Sequence, residues 1–431
     1  GVITVICTPP SGSTFGVGSN TVSCTATDSE GNVGTASFEI IVIEQQDVGS
    51  ERYLDGIGLR GDAVAGAGLA AGSTIFTVGN AFLNDVGDVA FNATLLGNGV
   101  NNSALFLRPD GGPVAPVAVK GSSFGTGNYG IFSYIAVNID GDVSFQSLTT
   151  GSGFNAGQFV DTGAGASSSA IRLSAAPTGV AGETFNVIYQ PALASNGELL
   201  TPGTLVLGGP SGVAIANDGL ITSSALGGSM IVREGDPSGI ANTVIGHHLA
   251  RTVASNANDH FAFPCYLYET PQDQTTNMAV FTGMLGGAAP AVAVRKGDAA
   301  AGTPGSFNYF LGESVNSSGE LALRAWVSGG GIAATDNEGI WTNSGNTSAP
   351  PVLIAREGDV APCIDGGLAA FGSFRTVYMG DDGSVFFIAY LKSATAVPAI
   401  HAGNDSTLWL WSNGELDLIA REGDMGNNTD G

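Results

Sequence analysis

Basic residues are scarce in this chain. Only 14 of its 431 residues are lysine or arginine, against 38 acids, which leaves a net charge of −24. Such a surface repels phosphate backbones and excludes nucleic acid as a partner. Long apolar runs are also missing. The densest, VFFIAYL at 385–391, has the length of a strand, well short of the roughly 18 residues a membrane helix needs. No leader-like segment opens the chain, whose first residue already stands in a strand-like run, so its compartment has to be read from elsewhere. Helical periodicity is absent throughout. What is abundant is glycine, 66 residues, and hydrophobic side chains, 43% of the total. Together they describe a turn-rich globular protein, long enough for two or more domains.

Cysteine is rare as well, with four residues. Cys7 and Cys24 stand in two short strand-like segments joined by PPSGSTFGVGSNT, a placement that suits a disulfide and an oxidising compartment. Cys265 and Cys363 are far apart, and their pairing stays open. Around the first two cysteines, VITVICT, NTVSCTAT and TASFEIIVI read as three strands separated by Pro, Gly and Asn turns. Residues 1–44 resemble the C-terminal half of a hyalin repeat (HYR) module, an Ig-like sandwich of extracellular and adhesive proteins. Cys7, Pro10, Gly12, Phe15, Gly18, Val22, Cys24, Ala26, Asp28, Gly31, Asn32 and Phe38 carry the resemblance. It departs at Gly16, where proline is usual, and at Ala36, where a further cysteine is usual. Three strands do not close a sandwich, so the remaining strands must come from upstream sequence or from another chain. Residues 45–59 read as a linker.

From residue 60 an internal repeat takes over. VREGD at 232–236, VRKGD at 294–298 and AREGD at 355–359 and 420–424 are echoed by LRGD at 59–62, VKG at 119–121 and IRL at 171–173. The basic residue recurs at 60, 120, 172, 233, 295, 356 and 421, about every sixty residues. Between these marks stand FLNDVGDVAF, AVNIDGDVSF, VASNANDHFAF, SVNSSGELAL and YMGDDGSVFF, each a strand, a hairpin turn and a second strand. A short third strand and a fourth ending in the basic motif complete the unit. In the third copy Thr201 replaces the usual phenylalanine and Ala194 the asparagine. Four antiparallel strands per repeat, without helices, predict an all-β fold: a six-bladed β-propeller over residues 60–431, with seven blades as the alternative. One surplus fourth strand, YLDGIGLRGD, precedes the first set and could replace a strand, start a blade or pair with a neighbour. The pattern resembles bacterial tandem-repeat surface proteins with NxxGxxAF and REGD motifs and varied anchors, a resemblance that implies little about activity.

In the recurring motif glycine lets the chain turn, the aspartate can accept backbone hydrogen bonds, and the arginine can pair with an acid. One copy per blade predicts a structural clamp. Calcium binding by Asp62, Asp236, Asp298, Asp359 and Asp424 is the functional alternative, although no complete ligand spacing is visible. RGD at 60–62 is one more copy of the clamp. GSSFG at 121–125 and GTGNYG at 125–130 lack the helix that their motifs require. His247, His248 and His260 are too far apart along a ladder for zinc. Arg251, Glu313 and Arg375 share one face of innermost strands, where they could bind a small anion or sugar; a buried ion pair is the plainer reading. Trp326, Trp341, Trp409 and Trp411 read as core, with sugar stacking as the alternative. The expectation is therefore an extracellular, non-enzymatic structural or adhesive protein that self-associates or binds other surface proteins or glycans, with no transmembrane segment and no cofactor unless calcium.

Overall fold

In the computed structural model the described residues are 4–42, 58–163, 168–172, 184–206, 218–223, 230–248, 253–269, 273–362, 369–393 and 400–423, apart from 11, 12, 14–17, 30, 59, 85, 98, 100, 101, 154, 196 and 257. Residues 45–57 of the linker assigned to 45–59, and most of the surplus strand before Arg60, lie outside them. The chain divides into two compact units, one built on Gly1–Asp55 and one on Gly56–Met425.

The first unit holds a three-stranded antiparallel sheet, Thr4–Thr8, Gly18–Thr27 and Val33–Val42, in sequence order. Cys7 faces Cys24 across the first pair, and the two form the expected disulfide. Ala36 faces Cys24 on the other side, so the cysteine of the middle strand is bonded to one neighbour and flanked by a methyl group at the other.

The second unit is all β, a β-propeller of successive four-stranded antiparallel sheets. Six are present among the described residues, each with its strands paired in sequence order. The first is Thr74–Leu83, Val89–Leu96, Ser103–Arg108 and Ala115–Val119. The second is Asn128–Val137, Val143–Thr150, Ala156–Asp161 and Ser168–Arg172. The third is Thr184–Ile188, Leu199–Val206, Asp218–Ser223 and Met230–Arg233, with Ala192–Leu193 as an added short pair. The fourth is Thr243–His248, His260–Glu269, Met278–Met284 and Ala291–Arg295, with Ala254–Ser255 added. The fifth is Ser306–Val315, Leu321–Ser328, Glu338–Thr342 and Val352–Arg356; the sixth is Ala369–Met379, Val385–Ser393, Ser406–Ser412 and Glu415–Arg421.

Period-two alternation gives every sheet two apolar faces, and the core is the series of contacts between them. Leu105 and Ala118 of the first sheet pack on Phe132, Phe145 and Phe159 of the second. Val280 and Val294 of the fourth pack on Phe307, Phe310 and Trp341 of the fifth. Ile340 and Ala355 of the fifth meet Phe371, Phe387 and Trp409 of the sixth. The aromatic face of one sheet thus covers the aliphatic face of its predecessor.

Two polar devices tie the sheets together. The first is the recurring basic motif. Gly61, Gly121, Gly235, Gly297 and Gly358 all have φ between 86° and 100°, a region closed to most side chains. Their amides donate to the carbonyls of Ile75, Tyr129, Ile245, Phe307 and Phe371 on the first strand of the next sheet. Ile75, Ile245, Phe307 and Phe371 donate back to the carbonyls of Asp62, Asp236, Asp298 and Asp359. The aspartate side chain closes the turn: Arg233 and Arg295 amides donate to Asp236 and Asp298 carboxylates at 2.7 Å. The arginine side chain anchors the motif to its own sheet, Arg295 on Glu269 and the Thr276 carbonyl, Arg356 on Asp336. Lys392 of the sixth sheet reaches Glu357 in the fifth sheet's motif at 3.2 Å.

The second device is the repeat asparagine, which sequence reasoning assigned only to a turn. Asn84 Oδ1 accepts from the Asp88 amide at 2.8 Å, and its Nδ2 donates across to the Asn138 carbonyl of the next sheet at 2.7 Å. Asn138 donates to the Ala194 carbonyl, Asn256 to the Asn316 carbonyl and Asn316 to the Gly380 carbonyl. Each asparagine therefore shapes its own hairpin and latches the following one. At the break left by Ala194, the Ser195 hydroxyl donates forward to Asp259 at 2.8 Å.

Candidate functional site

The inner-strand charges expected to act together are separated by their surroundings. Glu313 faces Leu323 across the ladder, two residues before Val315, and both aliphatic residues belong to the core between the fourth and fifth sheets. Its Oε2 is sealed from solvent and has no hydrogen-bond partner. Burial raises its pKa from 4.5 to about 8, so the neutral acid is the stable form at neutral pH. Arg375 is exposed, its guanidinium 5.1 Å from the Tyr390 ring centroid, and its carbonyl accepts from Arg324 Nη1 at 2.8 Å. Glu313 and Arg375 form no salt bridge with each other, although both are described. Arg251 lies outside the described residues.

Of the aspartates considered for calcium, Asp236, Asp298 and Asp359 are engaged as turn caps, and the Asp62 carbonyl accepts from the Ile75 amide. Asp236 and Asp298 accept their own motif's arginine amides, and burial raises the pKa of Asp359 against the lowering effect of Arg356. Asp424 lies outside the described residues. Among the described residues no group of three His, Cys, Asp or Glu side chains stands close enough to hold a metal ion. Cys265 is a free, buried thiol whose pKa burial pushes up, which makes it inert as a nucleophile; Cys363 lies outside the described residues. Trp341 and Trp409 are fully buried and Trp411 is partly buried, whereas Trp326 is 39% exposed.

Residues 26–431 match a family of unknown function (DUF7453). The chain belongs to this family. Residues 1–42 match the HYR domain, an extracellular, adhesion-type module. No curated protein matches the chain at a significant level. Among solved structures, it is similar to Pyrococcus horikoshii acylaminoacyl peptidase, at 11% identity over 80% of this chain and 45% of that one, with a TM-score of 0.45. A puromycin hydrolase is 9% identical over 94% of this chain and 52% of its own, with a TM-score of 0.41. The calcium-binding protein regucalcin from Agrobacterium tumefaciens is 12% identical over 73% and 81%, with a TM-score of 0.31. This chain spans about half the length of the first two. These likenesses speak to the fold alone.

They also correct one expectation. The repeats gave no reactive constellation, and the chain was therefore expected to be non-enzymatic. Two of the similar structures are a peptidase and a hydrolase. Folds of this kind occur in enzymes, so the exclusion of catalysis is withdrawn. No helix of the described residues is long and apolar enough to cross a membrane.

Proposed function

We propose that the protein is an extracellular adhesive or structural module that joins a second copy of itself through its N-terminal sheet. The observation that carries this is the bareness of that sheet. Val5, Ile6, Val33 and Phe38 are 60%, 64%, 62% and 54% exposed, on a sheet whose middle strand, among the described residues, buries Val22 alone. Val5 and Ile6 are successive residues and point to opposite faces, so both faces carry unburied apolar surface. Among the described residues these three strands have exposed apolar faces and no further strand on either edge, an arrangement that invites pairing with further strands. The disulfide stiffens the sheet, and the HYR match supports an oxidising, extracellular setting.

Sedimentation equilibrium on the whole chain, over a hundredfold range of concentration, tests this. Self-association that weakens when Phe38 becomes Asp supports the reading. A chain that stays monomeric throughout the range, or associates equally well as the Phe38→Asp variant, refutes it.

A further inference from the structure

One position on the second strand of each sheet separates the two halves of the propeller. It holds Thr94, Leu148 and Thr204 in the first three sheets, and Tyr266, Trp326 and Tyr390 in the last three. Register places Trp326 opposite Tyr309, whose ring centroid is 5.7 Å away. The Tyr309 hydroxyl is hydrogen-bonded to that of Tyr266, so the fourth sheet's tyrosine joins the fifth sheet's pair. Arg324, two residues before Trp326 on the same face, reaches the Arg375 carbonyl of the sixth sheet. Arg375 in turn lies over Tyr390. Aromatic rings and guanidinium groups therefore stand at the same end of three successive sheets, with Tyr390 on the face of its strand opposite Ala389 and Leu391, which meet the fifth sheet.

These rings differ from the other aromatic residues of the repeat. Most phenylalanines and tryptophans between sheets are fully buried, but Trp326 is 39% exposed and Tyr266, Tyr309 and Tyr390 are partly exposed. An exposed tryptophan backed by tyrosine hydroxyls offers a flat apolar surface with polar edges. Among the described residues Arg375 enters no salt bridge, in a chain of net charge −24. We propose that this group of rings and guanidinium side chains binds a glycan chain bearing carboxylate sugars: sugar faces stack on Trp326 and Tyr390, and Arg375 pairs with a uronate carboxylate. The stacking needs only C–H faces and tolerates several sugars. The guanidinium fork supplies the preference for a carboxylate. A single free guanidinium suits isolated acid groups better than a dense polyanion, which the acidic surface around it would repel.

An array of uronate-bearing glycans, each paired with its carboxyl-reduced counterpart, tests the proposal on the whole chain. Binding to the uronate forms is expected. The Trp326→Ala variant should lose about tenfold in affinity, the equivalent of one stacking contact. Arg375→Ala should bind both members of a pair alike. Circular dichroism and melting temperature check that these exposed substitutions leave the fold intact. Absence of binding to any glycan, or unchanged binding in both Trp326→Ala and Tyr390→Ala, overturns the site. Equal wild-type affinity for reduced and unreduced glycans overturns the part assigned to Arg375. Because none of these residues lies in the N-terminal sheet, the outcome is independent of self-association.

Discussion

The second and third sheets meet partly through buried hydrogen bonds, whereas the fourth and fifth meet through rings and aliphatic chains. At the place where the other third strands carry Leu105, Leu220, Val280, Ile340 and Leu408, the second sheet has Gln158. Opposite it, where the repeat calls for a large apolar residue, stands Thr201. Both are completely buried. The Thr201 hydroxyl donates to Gln158 Oε1 at 2.7 Å, and Gln158 Nε2 donates to the Tyr189 carbonyl at 2.7 Å. Gln146 reaches the Ile188 carbonyl beside them. Beside them stands a small apolar cluster of Val160, Leu193, Leu199 and a flanking Ala136, and Leu205, four residues after Thr201 on the same face, is buried together with its cross-strand partner Phe185. Between the fourth and fifth sheets, by contrast, Val280, Phe307, Phe310, Leu323 and Trp341 form a broad apolar contact. The lesson is that the repeat does not require phenylalanine as such. It requires that the two faces match, ring against aliphatic or amide against hydroxyl.

The largest effect is expected where the apolar contact is deepest. Trp341 is fully buried and donates its indole N–H to the Ala301 carbonyl at 3.1 Å. Trp341→Ala should cost about 3–5 kcal/mol by urea denaturation, through lost burial and the cavity left behind. A cost below about 1 kcal/mol would show that this interface collapses onto the gap and is less close-packed than its partner.

The same apolar contact carries a polar liability that the hydrogen-bonded one avoids. Glu313 has a raised pKa, from 4.5 to about 8, because burial disfavours its charged form and its Oε2 has no partner. The folded state holds a proton that the unfolded chain has released, so it binds more protons between those two values. The contribution of Glu313 to stability should be flat below about pH 4.5, fall as pH rises towards about 8 and level off above, by an amount on the order of a few kcal/mol. Glu313→Gln should remove this slope and leave the variant more stable than the parent at pH 8, read as melting temperature against pH. A parent protein whose stability is unchanged from pH 5 to 8 would mean that Glu313 finds a partner in solution.

Gln158→Leu restores the repeat's aliphatic residue at the wrong place. It leaves the Thr201 hydroxyl and the Tyr189 carbonyl without their partner, at a cost of about 1–3 kcal/mol. Adding Thr201→Phe to the same chain restores both halves of the apolar match. The double variant should recover at least half of that loss, a coupling visible in a double-mutant cycle. If the two changes add without coupling, the matching rule between faces is wrong.

Much of this was readable in the sequence, because each device repeats. Turn residues and alternating apolar positions marked strands and hairpins, and the spacing of the basic motif marked the sheets. The clamp's chemistry followed from residue type: a glycine at positive φ, an aspartate on backbone amides, an arginine on an acid of its own sheet. What the pattern hid were relations between copies. Asn84 and Asn138 look like ordinary turn residues, and only the fold shows that each donates to the next hairpin. Thr201 looked like a lapse from the repeat, because its partner Gln158 stands 43 residues earlier. Glu313 and Arg375 were grouped by their place on inner strands. Alternation along a strand does not say which neighbouring sheet a side chain meets, and bulges after Phe310 and Phe374 shift the register beside both residues.

The smallest effect should come from the asparagine latches, and it tests whether the two interfaces open independently. Asn138 links the second sheet to the third, beside the cluster of Val160, Leu193 and Leu199; Asn256 links the fourth to the fifth, next to a broad core. Each alanine substitution removes comparable hydrogen bonds, so the loss in global stability should be about 1 kcal/mol in both. Local opening should differ. Where a buried glutamine and threonine replace apolar side chains, hydrogen bonds carry more of what resists separation, so Asn138→Ala should speed amide exchange in the Val143–Thr150 and Leu199–Val206 strands. Asn256→Ala should leave its neighbouring strands protected, because the rings still hold them. Equal acceleration at both sites would mean that the sheets open as one cooperative body, and that the contrast between polar and apolar interfaces has no consequence for motion.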